Sequence, residues 1–92
     1  MSINVDMGQK HRQTIVLKYP VQVGGVTYSE LVMRRAKGRD LKLARKQANG
    51  DESEIDTYLI ANLCDISTEV LDELDMADYR TVQEVLRGFL GL

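Results

Sequence analysis

Few residues in this 92-residue chain could do covalent chemistry. There is one histidine, His11, and one cysteine, Cys64. His11 lies between Lys10 and Arg12 in a polar stretch and reads as a solvated side chain. One His and one Cys cannot build a His/Cys zinc site within one copy. A single cysteine allows no internal disulfide and fits a reducing cytoplasm. No glycine-rich phosphate loop and no GxSxG elbow is present, and Gly24-Gly25 is too short a signal for phosphate binding. The carboxylates Asp72, Glu73, Asp75 and Asp78 crowd together, yet their place beside helix starts reads as N-terminal decoration and solvent face rather than a cation site. No catalytic residue, metal or cofactor is expected, and the chain does not read as an enzyme.

Its charge is more informative. The net charge of −2 conceals a split: residues 1–50 carry ten Lys/Arg against three Asp/Glu, and residues 51–92 two Arg against eleven Asp/Glu. Seven of the cations fall between Arg34 and Lys46. Phosphate neutralisation needs such a cluster, so a small nucleic-acid-binding or regulatory module using residues 34–46 is one reading. The missing stacking aromatics speak against it, and no use of nucleic acid is expected. The other reading is a solvated helix face that also pairs with the acidic half. The split further predicts a salt-sensitive homo-oligomer, with Arg39 and Arg45 of one copy facing Asp72 or Asp78 of another.

These residues must be positioned by a small number of elements. Residues 1–13 are polar and patternless and are expected to form a mobile arm, leaving 14–92 as a single domain. From Thr14 to Tyr19 the Val/Ile/Thr content predicts a strand, with Ile15, Leu17 and Tyr19 on one face. Gly24-Gly25 between Val23 and Val26 predicts a hairpin turn. On the return strand the apolar phase changes, from Val26 and Tyr28 to Leu31 and Met33. That predicts a β-bulge near Ser29-Glu30, opposite Pro20, so that Ile15, Leu17 and Tyr19 can share a face with Leu31 and Met33. A short helix follows over Asp40–Lys46, closed by Asn49-Gly50.

Asp51 and Glu54 have capping-box spacing at the head of a helix over 51–64. Its stripe is Ile55, Tyr58, Leu59, Asn62, Leu63 and Ile66, with Cys64 beside it as a small packed residue. Asn62 either lies at the edge or makes a buried hydrogen bond. Ser67 caps a short helix with Val70, Leu71 and Leu74 as its apolar edge. Asp75 caps the last helix, with Asp78 at N3, and Tyr79, Val82, Leu86 and Phe89 recur at helical spacing. Arg87 suits its last turn. The fold class is therefore α+β: an N-terminal β-hairpin followed by three or four short helices. No run approaches the ~18 apolar residues of a membrane span, and no signal-peptide core is seen near the N-terminus, so a soluble intracellular protein is expected.

The stretch EVLDELDMADYRTVQEVLRGFL resembles the C-terminal signature of the Mu-like phage tail assembly chaperone family: a leucine-rich turn, an (L/M)-A-D-Y segment, and a helix reading Q..L..FL. The strand ending at Tyr19-Pro20, the segment LVMRRAKGRDL and the acidic helix from Glu52 to Cys64 fit in order, so the resemblance spans about residues 14 to 90. Members commonly have Leu where Met76 stands, a volume-conserving swap, and often Pro-Thr near Ala36-Lys37. The resemblance implies a phage or prophage tail assembly chaperone. Such a protein binds the tape measure protein and keeps it soluble in the host cytoplasm, is displaced as the tail tube protein polymerises, and is absent from the mature virion. Phe89, Leu90 and Leu92 at the chain end, with Leu86 beside them, are the expected contacts for the client or a neighbouring subunit; the alternative is that they close the core. A structural tail subunit that stays in the virion is a third reading.

Overall fold

The computed structural model describes residues 11–92. A β-hairpin comes first, β1 (Arg12–Val23) and β2 (Val26–Arg34). Four helices follow: α1 (Gly38–Ala48), α2 (Ile55–Cys64), α3 (Thr68–Glu73) and α4 (Met76–Leu90), with a 3-10 turn at Glu52–Glu54 ahead of α2. The fold is α+β, as expected from the sequence. β1 opens at Arg12, two residues early; residues 1–10 of the arm expected over 1–13 lie outside the described residues.

The strands pair antiparallel and join through Gly24 and Gly25, at φ +60° and +80°. A two-residue turn that matches strand twist needs positive φ at both positions, which glycine adopts at no steric cost. Near Arg12 the register runs Arg12↔Arg34 to Val16↔Glu30, and near the turn Val21↔Tyr28 to Val23↔Val26. Between these ladders four residues of β1, Leu17 to Pro20, stand opposite a single residue of β2, Ser29. The expected irregularity is present, but the extra residues are on β1 and exceed a one-residue bulge. Interrupting the ladder also resolves the phase change, since Val21 and Tyr28 pack against the core that Ile15, Leu17, Leu31 and Met33 enter. Tyr19 does not join them. It sits within the interruption and is exposed, a correction to the expected face.

The helices cover one face of the hairpin. α2 lies at the centre, touching β2, α1, α3 and α4. Leu59, Ile60, Ala61, Leu63 and Cys64 are all buried. Encirclement explains why its apolar surface is broader than the expected stripe: a helix with neighbours on most sides has little solvent face to keep polar. Asn62 lies outside this core, and its Nδ2 donates to Gln47 Oε1 of α1 at 2.7 Å. α1 packs chiefly on α2 through Ala44 and Ala48, whose short side chains permit close approach. Asn49 and Gly50, both at positive φ, end α1 as expected.

Asp51 caps the 3-10 turn instead of α2 itself, accepting from the backbone N–H of Ser53 at 3.0 Å. The helix expected over 51–64 is thus a 3-10 turn followed by α2. Val70, Leu71 and Leu74 are buried, so the short α3 forms the expected edge. Asp75 caps α4 by accepting from the N–H of Ala77 at 2.9 Å. The buried line of α4 is Asp78, Val82, Leu86 and Phe89. Its three apolar members were expected; its first member is an acid.

Candidate functional site

Leu86 and Phe89, two of the four residues expected to meet a partner, are core residues at 3% and 8% exposure. Phe89 is held from outside by Arg35. The Arg35 guanidinium lies 5.3 Å from the ring centroid, and its Nη2 donates to the Phe89 carbonyl at 3.4 Å. This contact fastens the end of α4 to the segment between β2 and α1. Leu90 and Leu92 are different: they stay 45% and 78% exposed after the domain has closed. The core at the chain end therefore stops at Phe89.

Leu90 borders a half-open groove of ≈ 350 Å³, lined by Ala36, Lys37, Gly38, Leu41, Asp56, Leu59, Phe89 and Leu90. The N-terminal turn of α1, the side of α2 and the last turn of α4 form its walls. Leu41 was not singled out in the sequence. It falls at the margin of the Asp40/Ala44/Ala48 line, and its only signal was an apolar residue among cations.

Two of the seven clustered cations are committed within the chain. Arg34 Nη1 and Nη2 grip the Asp40 carboxylate at 3.0 and 2.8 Å, while Asp40 Oδ2 also accepts from the N–H of Lys37 at 2.8 Å. A bidentate guanidinium and a backbone donor hold the buried Asp40 carboxyl down at about 2, against the opposing effect of burial. The same pair raises the pKa of Arg34. Arg35 is the second, engaged at Phe89. The remaining Lys37, Arg39, Lys42, Arg45 and Lys46 are exposed. Arg39, Lys42 and Lys46 share the outward side of α1 with the exposed Leu43, opposite Ala44 and Ala48.

Arg34–Asp40 is the one salt bridge among the described residues. Among the described residues no salt bridge joins the acidic half to the basic half, contrary to the expected internal pairing. Of the residues expected to join copies, Arg39, Arg45 and Asp72 lie on the surface. Asp78 does not. It is 3% exposed and accepts from the backbone N–H groups of Lys18, at 2.9 Å, and Tyr19, at 3.0 Å. Both donors lie in the interrupted stretch of β1, where no strand partner is available. Asp78 is thus an internal cap for the strand and is not placed to face a second copy.

Cys64 is buried, and desolvation pushes its thiol up to about 11, keeping it protonated. Among the described residues no group of three or more His, Cys, Asp or Glu could hold a metal ion. Nor is any described helix long and apolar enough to cross a membrane.

A family model for phage tail assembly chaperone proteins, described as "E, or 41 or 14", matches residues 14–91. The chain belongs to that family. The match runs from the first buried ladder of the hairpin to the residue after α4, so the groove, the Arg34–Asp40 pair and the Asp78 cap all belong to the tail assembly chaperone fold unit. No curated protein and no solved structure matches the chain. Met76, where the resemblance expects Leu, is exposed on the first turn of α4, so little packing rests on its shape. Ala36 and Lys37, where Pro-Thr is common, form the connection into α1, with Lys37 at the N-cap.

Proposed function

We propose that this tail assembly chaperone binds the tape measure protein and keeps it soluble in the host cytoplasm until tail tube assembly releases it. The mode of action is non-enzymatic: a small charged domain covers apolar stripes of a longer client. The observation that carries the reading is the exposed apolar surface at the end of α4, with Leu90 lining the groove beside Leu41 and Leu92 exposed two residues further on. Exposed aliphatic side chains gathered at one place are costly to solubility unless something covers them, and a helical client presents the matching stripe.

Co-expression with the tape measure protein tests this. Leu90→Ser with Leu92→Ser should leave the melting temperature within a few degrees, because neither side chain is in the core, and should send the client to the pellet. A client that stays equally soluble with the double variant removes the chain end from the contact. A client indifferent to the wild-type chain removes the function itself.

A further inference from the structure

The groove beside Leu90 continues. Leu41 and Asp56 line it, and they also line a second depression of ≈ 470 Å³ bounded by Arg45, Gly50, Glu52 and Ile55. Together they make one trough along the seam of α1 and α2. Its two lips carry opposite charge. On the α1 side Arg45 stands one turn beyond Leu41, and Lys37, the N-cap of α1, lines the groove at the other end. On the other side stand Glu52 and Asp56. Among the described residues none of these four takes part in a salt bridge. The walls are helices and a connecting loop, with no strand edge to which an extended peptide could add. A helix needs no such edge, since it satisfies its own backbone.

We propose that this trough takes an amphipathic helix of the client, with its apolar stripe on Leu41 and Leu90 above the buried Leu59. The acidic flank of that helix faces Lys37 and Arg45, and its basic flank faces Glu52 and Asp56. The inference rests on the tape measure reading and adds the chemistry and direction of the bound segment. Opposite lips fix orientation as well as affinity, because a helix laid in backwards or flipped about its axis brings like charges together.

Gly38 supplies a clean test. It lines the groove, has no positive φ, and a Cβ there would meet nothing within 4 Å. Gly38→Phe should fill the trough without disturbing the core. In co-expression, the folded Gly38→Phe chain should lose at least tenfold of the client-solubilising capacity of wild type. Lys37→Glu with Arg45→Glu should lose about as much at low salt and recover part of it at 0.5 M salt as charges are screened. A photo-crosslinker in place of Leu41 should capture a client segment with acidic residues on one flank of an apolar stripe and basic residues on the other.

The inference is overturned if wild type solubilises the client and a folded Gly38→Phe chain does so equally well. It is overturned too if the crosslinker captures a second copy of this chain, or a segment without the two-sided charge pattern. If wild type itself leaves the client insoluble, the tape measure reading fails and takes this inference with it.

Discussion

Asp78 and Lys18 lie 60 residues apart in sequence, yet the carboxylate of one accepts the backbone N–H of the other at 2.9 Å. The second carboxylate oxygen accepts from Tyr19 at 3.0 Å. One acid in the last helix thus satisfies two amides that the interrupted ladder of β1 leaves bare. Hydrogen bonds to a charged group contribute roughly 1.5–3 kcal/mol each, and an unsatisfied buried donor is costly. Asp78→Ala should therefore destabilise the domain by about 3 kcal/mol, with Asp78→Asn intermediate because its amide keeps one acceptor oxygen. Chemical denaturation of the two variants measures this, and equal stability of Ala and wild type would falsify the capping role.

The Arg34–Asp40 pair makes stability depend on pH in a defined direction. Asp40 titrates near 2 when folded, against about 3.9 in an unfolded chain. A depressed folded pKa adds stability that is complete above the unfolded value and is lost as pH falls through the folded one. On the order of 2 kcal/mol should disappear between about pH 5 and pH 1. Asp40→Asn should be less stable than wild type at pH 7 and lose its disadvantage near pH 2. A constant gap between the two denaturation curves across that range would count against the pair.

Cys64 should be silent toward thiol reagents. It is buried and its thiol is held protonated, whereas the thiolate is the reactive form. Labelling at pH 8 should be slow in the native protein and fast in denaturant. Rapid native labelling would mean that α2 opens far more readily than its surroundings imply.

Self-association through the charge split should involve Arg39, Arg45 and Asp72 and leave Asp78 out. Light scattering should show oligomers that shrink as salt rises, since exposed pairs are screened. Asp72→Lys should weaken them as well. Persistence of a monomer at high concentration and low salt would rule the contact out.

The hairpin turn, the helix positions and most of the core were legible because each rests on local chemistry. Two glycines set the turn, apolar spacing set α4, and Asp75 set its start. What was not legible is non-local. The phase change from Tyr28 to Leu31 announced an irregularity but not that β1 would carry the extra residues, nor that Tyr19 would leave the face. Asp78 looked like a first-turn decoration, although its spacing of four and eight residues from Val82 and Leu86 places it on the buried line. Phe89 looked available because a C-terminal position suggests an open end; Arg35, contributed by the other half of the chain, covers the ring. The groove depends on α1 approaching α2 through Ala44 and Ala48, which no single-helix pattern encodes.

The Asp78 cap also orders events during synthesis. A two-stranded hairpin alone is marginal in water, and this one has two backbone amides whose partner is not translated until 60 residues later. While the ribosome is still making α2 and α3, β1 is an unfinished strand with donors open to any neighbouring chain. The arrival of α4 closes it. Every nascent copy passes through this exposed interval, and a copy cut short before Asp78 never leaves it. For a protein proposed to keep another chain from aggregating, the last helix first has to do that for its own hairpin.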